Sequence, residues 1–293
     1  MSSRATAGAR PDKLIAIFQR REAFAAFDLE VELLYTGSGE PVVKALLDDR
    51  ASYTHVCGAP LPAAVAGRGL KILGAFQTSS FALFARADIT SLDQLAGGSV
   101  VLAGSVTRPA FEVALRRHGL APDAVTVLTS HDLRARGSTD LSLQQLVEQG
   151  VADAVSMNAP DSQAAARAGL QCLLRFGDVF PIPTFALLTT DVELSRRPER
   201  VERFVRGLLQ AIDDFIRDFD LGVRLLRKQE VPEALVEGTY WETRGYLRPD
   251  GRLPEDVQRM WIEWSKADLG LTEDVPLDRV FDFRILDRVL EHR

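Results

Sequence analysis

Three short stretches of this 293-residue chain carry side chains that could do chemistry. The first is His55–Val56–Cys57–Gly58–Ala59. On an extended strand, residues two apart project to one side, so His55 and Cys57 would face the same way. They could serve as base and nucleophile of a thiol enzyme. They could be two ligands of a metal site, although two alone are too few to hold an ion. They could equally be a small core thiol beside a hydrogen-bonded histidine, which is the preferred reading because buried, unreactive cysteine is common. The second stretch is Gly104–Ser105–Val106–Thr107–Arg108, which leads into a helical pattern carrying Pro109. A helix N-terminus offers free backbone N–H groups and partial positive charge, and so attracts an oxyanion. Ser105 and Thr107 can add hydroxyl donors, and Arg108 a forked charge. The competing reading is that Ser105 and Thr107 cap the helix while Arg108 faces water. The third is Asn158, which can hydrogen-bond a ligand or simply shape the turn before Pro160. Gln77 and Thr78 follow a β-rich run that ends at Phe76.

Other chemistries are not written here. The two cysteines, Cys57 and Cys172, form no CxxC pair, and the four histidines never fall at i, i+4 spacing. No metal or cofactor is expected. The net charge of −6 and the lack of a clustered Lys/Arg run argue against nucleic acid as a partner. No apolar stretch is long enough to span a bilayer. Met1–Lys13 lacks the apolar core of a secretory signal, so the chain as written is expected in the cytoplasm. A periplasmic or extracellular place would require an export signal outside it.

The elements that must position these residues follow from the pattern. Candidate strands are Leu29–Tyr35, Tyr53–Cys57, Lys71–Phe76, Phe81–Ala85, Ser99–Leu102, Ala124–Leu128, Ala154–Met157 and Phe185–Thr189. Helical stretches lie between them, which predicts βαβ units and mostly parallel sheets flanked by helices. Thr90 with Asp93 reads as a capping box. Beyond Thr190 the pattern is nearly all helix. Val201, Phe204, Val205, Leu208, Ile212, Phe215, Ile216 and Phe219 form one apolar stripe, and Val257, Met260, Trp261 and Trp264 a second, both read as core.

These segments resemble a known family. FQRREAFAAFDLEVELL (Phe18–Leu34) resembles its first helix and following strand. SLDQLAGGSVVLAGSVT resembles its SLxDLxGKxVGVxxGS hallmark, and LVEQGVADAVSMNAP its LxxGxVDAxxxxxP hallmark. RRPERVERFVRGLLQAIDDF resembles its xxPExVxxFxxAxxxAxxW helix. The family is that of the substrate-binding proteins of ABC importers for sulfonates, nitrate, taurine and thiamine precursors. The resemblance implies a two-lobed α/β architecture, the type II periplasmic-binding-protein fold, with two crossing strands as hinge and a helical C-terminal part. Residues 1–84 plus 187–293 are expected to form one lobe and 85–186 the other. Family members begin with a strand and a ligand-contacting loop. Here only a Ser/Ala/Gly-rich tail precedes a helix beginning by Asp12–Lys13, so the first strand is expected to be missing.

The resemblance implies a small organic anion or zwitterion held between the lobes by Gly58, Ala59, Gln77, Thr78, Ser105, Val106, Thr107, Arg108 and Asn158, with an ABC permease as partner. Two other functions stay open. One is an enzyme on the same fold, a desulfinase or a thiamine-pyrimidine synthase, with His55 and Cys57 as its candidate groups. The other is a cytosolic ligand sensor.

Overall fold

The Ser/Ala/Gly-rich tail pairs as a strand. The computed structural model describes residues 2–7, 14–37, 39–78, 80–102 and 107–293, and in it Ser2–Ala7 forms β1. This strand lies parallel to β2 (Glu30–Tyr35), with Ser2 opposite Glu30 and Ala7 opposite Tyr35. On its other side it is parallel to β3 (Tyr53–Thr54), through Ala5–Tyr53 and Thr6–Thr54. The expectation of a missing first strand is thereby corrected. Ser3, Ala5 and Thr6 are buried. A strand paired on both sides and covered on its faces can be built from small residues, and its lack of Val and Ile hid it from pattern reading. The expected helix start at Asp12–Lys13 lies outside the described residues; the first helix there spans Ile15–Phe18.

The remaining strands are β4 (Leu70–Thr78), β5 (Ala82–Ala85), β6 (Ser99–Val101), β7 (Thr126–Leu128), β8 (Ala154–Met157), β9 (Gln171–Arg175) and β10 (Pro183–Thr190). They make two five-stranded sheets, ordered β2-β1-β3-β10-β4 and β7-β6-β8-β5-β9. In the first sheet β10 is antiparallel to both neighbours, and in the second β5 is antiparallel to both of its own. Four strands of each sheet therefore share one direction and the fifth is reversed. The α/β class and the helix-flanked, largely parallel sheets expected from the sequence are present.

The chain divides into two units, Met1–Thr78 with Pro183–Arg293, and Ser79–Ile182. The sequence reading drew its boundaries a few residues later, after 84 and 186. β5 pairs with β8 and β9, which places Ala82–Phe84 in the second unit, and β10 joins the first sheet from Pro183 onward.

The first unit carries the C-terminal helices. Pro198–Arg217 opens on a proline, where the missing N–H costs nothing, and buries Val201, Phe204, Val205, Leu208, Ile212 and Phe215. Gly207 sits on this helix because an added Cβ would come within 2.6 Å of the Phe24 ring. The stripe does not continue straight to Phe219. Asp218 ends the helix and its carboxylate accepts from the Leu221 N–H, starting a second helix at Phe219–Lys228. Glu193, Arg197 and Arg200 form a charged cluster beside the core, with the Arg200 Nε 2.6 Å from Glu193 Oε1.

One core cluster of the second unit holds Ala82, Phe84, Val101, Leu128, Leu146, Val147, Val155 and Met157, and Phe111 and Phe176 are fully buried as well. Two of its helices, Ser130–Ala135 and Leu143–Glu148, start on side-chain caps. Ser142 accepts from the Gln145 N–H while Gln145 Oε1 accepts from the Ser142 N–H, starting Leu143–Glu148. The expected Thr90–Asp93 box is displaced by one residue: Ser91 is the cap and Gln94 Oε1 accepts from its N–H at 3.1 Å. Among the described residues no helix is long and apolar enough to cross a membrane.

Candidate functional site

In open α/β sheets, ligands bind beyond the carboxyl ends of the strands. The first unit places the loop His55–Ala59 there, after β3, together with Gln77 and Thr78 at the end of β4. The β3 end is fixed by a hydroxyl relay. Thr6 Oγ1 donates to Thr54 Oγ1 at 2.6 Å, and Thr54 Oγ1 accepts from the Val56 N–H at 3.1 Å. Helix Pro60–Val65 follows, with Ala59 as its cap residue and Pro60 in its first turn. Gly58 has no atom within 4 Å of where a Cβ would sit, so this loop has open space in front of it.

His55 and Cys57 are not on a strand, because β3 ends at Thr54. The alternation that would have aimed both side chains one way does not apply. The His55 ring lies among aromatics, 5.6 Å from Phe18 and 5.9 Å from Phe185 between centroids. Cys57 is buried and its Sγ donates to the His55 carbonyl at 3.7 Å. Burial pushes the thiol from 9.0 up to about 12, which leaves almost no thiolate at neutral pH. The pair has the environment of a packed core thiol and an imidazole set tilted and edge-on among aromatic rings.

Gln77 is fully buried and holds the first unit together. Its Nε2 donates to the Thr243 carbonyl at 3.1 Å, and Thr184 Oγ1 donates to its backbone and side-chain oxygens at 3.1 and 3.2 Å. Thr78, beside it, is half-buried and pairs with Pro183.

In the second unit the corresponding strand ends carry Thr107, Arg108 and Asn158. Gly104, Ser105 and Val106 lie outside the described residues. Thr107 is the first residue of helix Thr107–Arg117 and is fully buried. Arg108 is on the solvent side of that helix, its side chain 59% exposed, with Nε 3.2 Å from Glu112 Oε1. Asn158 follows β8, and its carbonyl accepts from the Ser162 N–H at 3.1 Å, just before the cis Ala159–Pro160 bond. Sequence reasoning missed Ser80. It lies two residues before β5, on the sheet end that also carries Asn158, since Ala82 is opposite Met157. Its hydroxyl is buried with no hydrogen-bond partner among the described residues. The Gln77–Thr78–Ser79–Ser80 run of polar residues after an apolar strand was the available signal.

Solved structures share this architecture. The alkanesulfonate-binding protein SsuA from Xanthomonas axonopodis pv. citri, bound to MOPS, matches 96% of this chain and 98% of its own at 17% identity, with a TM-score of 0.74. The periplasmic aliphatic sulphonate binding protein SsuA from Escherichia coli matches 95% and 91% at 16% identity, with a TM-score of 0.75. The desulfurization enzyme DszB also matches, over 100% and 99% at 16% identity, with a TM-score of 0.67. At these identities the likeness speaks for the fold. No curated protein sequence matches the chain. A family model described as NMT1/THI5 like matches residues 19–219, well over half of the sequence, and the chain belongs to that family.

Proposed function

We propose that the chain binds a small organic anion or zwitterion, such as a sulfonate, carboxylate or thiamine precursor, as the solute-binding component of an ABC importer. The family match over residues 19–219 carries this reading. Ligand contacts are assigned to the strand-end loops: Gly58, Ala59 and Thr78 in the first unit, and Ser80, Ser105, Val106, Thr107 and Asn158 in the second. The unpartnered Ser80 hydroxyl supports this, because a buried polar group without a partner is costly and a ligand would relieve it. Arg108 can join only by leaving Glu112, and Gln77 acts as scaffold. The partner is an ABC permease. Delivery to it takes place on the outer side of the membrane; the cytoplasmic location expected from the sequence belongs to the sensor alternative, and cell fractionation separates the two. No reaction is assigned, because the buried, protonated Cys57 is poorly suited to nucleophilic attack.

A thermal-shift screen of alkanesulfonates, carboxylates and pyrimidines tests the reading. A ligand bound only by the folded state raises the melting temperature. At least one organic anion is expected to do so, with a smaller shift in Ser80→Ala. A flat response across all three classes would overturn the proposal.

A further inference from the structure

Away from the strand ends, the flank of the first unit holds a cavity of about 580 Å³. That is within the range of small-molecule sites, roughly 300–1,000 Å³. Two elements frame it. Val31, Leu33 and Tyr35 alternate along β2 and so share one face of the edge strand. Leu221, Arg224, Leu225 and Lys228 fall at i, i+3, i+4 and i+7 on helix Phe219–Lys228 and so share one helix face. Phe18, buried, supplies apolar floor beneath them.

The rim is cationic. Arg20, Arg21, Arg224 and Lys228 line the cavity against a single carboxylate, Glu22, four positive charges to one negative. Arg20 is occupied by Asp214 at 2.9 Å and by Glu22 at 2.5 Å. The Glu22 carboxyl is held below its usual range first by a backbone hydrogen bond, then by that of Arg20. Arg21 and Arg224 have no carboxylate partner among the described residues. In a chain of net charge −6, this concentration of positive charge is local. A second observation is independent of charge. Gln19 lines the same cavity, and its Oε1 is buried with no hydrogen-bond partner among the described residues. An orphaned acceptor calls for a donor.

We propose that this cavity, framed by β2 and helix Phe219–Lys228, is a second binding site, for an amphipathic organic anion. The apolar floor takes its hydrocarbon body, Arg224 and Lys228 take its carboxylate or sulfonate, and Gln19 accepts from an N–H or O–H group. The site uses none of the strand-end loops, so it stands or falls apart from the proposed transport function.

The probe 8-anilinonaphthalene-1-sulfonate has all three features: an aromatic body, a sulfonate and an amine N–H. Titrated by fluorescence into the folded full chain, it is expected to bind saturably. Arg224→Glu and Lys228→Glu, both at exposed positions, should each weaken it about tenfold while far-UV circular dichroism stays unchanged. Ser80→Ala should leave it unaffected. Amide shifts of Val31–Tyr35 on titrating the labelled wild type provide a check that needs no variant. Absence of saturable binding, wild-type affinity in both charge reversals, no shifts along Val31–Tyr35, or loss of binding in Ser80→Ala would each overturn the site.

Discussion

The two units are wired alike and filled differently. Among the four strands of each sheet that share a direction, the first in chain order lies between the second and third, and the reversed strand sits between the third and fourth. That reversed strand follows directly on the point where the chain enters the unit, β5 after Ser79 and β10 after Ile182. The interiors differ in how their side chains cluster. The first unit buries Phe18, Phe24, Tyr53, Phe185 and Phe204 together, with Tyr53 and Phe204 stacked at 3.8 Å, and adds the C-terminal helices. The second has an aliphatic cluster around Phe84, Leu128, Leu146 and Val155, and it buries Phe111 and Phe176 as well. Strand order is thus set by local connection rules, while the stability of each unit is set by what fills it.

Substitutions in the two cores should separate these contributions. The largest effect is expected from Phe204→Ala, which removes the ring joining Phe18, Phe24 and Tyr53. It should cost about 3–5 kcal/mol, read from the urea midpoint. Leu146→Ala in the second unit should cost about 2–4 kcal/mol in the same measurement. Equal losses would mean that the aromatic cluster adds nothing beyond ordinary burial.

A smaller difference concerns protons. Burial raises the Cys57 thiol from 9.0 to about 12, and burial also raises the Tyr53 phenol. The folded state holds both protons more tightly than the unfolded state. For Cys57 the resulting stabilisation is complete below about 9 and is lost as pH rises toward about 12. Urea midpoints should therefore fall over that window, and fall less in Cys57→Ala. At pH near 8, iodoacetamide should label half-exposed Cys172 well before Cys57. Rapid labelling of Cys57 in the folded protein would contradict its burial. Least of all, Arg108→Ala should change stability by under about 0.5 kcal/mol, since it removes only an exposed i, i+4 pair with Glu112.

Much of this was legible in the sequence, for identifiable reasons. β4, β8 and β10 announce themselves as β-rich apolar runs, and Pro198–Arg217 as an unbroken helical stripe. β1 did not, because Ser3, Ala5 and Thr6 fill a covered sheet with small side chains, and small residues carry little periodic signal. β9, Gln171–Cys172–Leu173–Leu174–Arg175, is absent from the expected strands; its apolar residues are flanked by polar ends and show no alternation. The site was less legible than the fold. Reading His55 and Cys57 as one face assumed a strand that stops at Thr54. Gln77 reads as a ligand donor from its place after a strand, and spacing cannot reveal that its amide also bonds Thr243 and Thr184. Ser80 became visible only when β5 was seen to lie against β8.

The central claim is that strand-end groups hold a small organic anion. Calorimetric titration of the wild type and of Asn158→Ala with one alkanesulfonate that raises the melting temperature tests it most directly. The account predicts one strand-end site in the wild type and at least about tenfold weaker binding in the variant, a loss of about 1.4 kcal/mol. Identical affinity in the two proteins, with Ser80→Ala also unchanged, would contradict it.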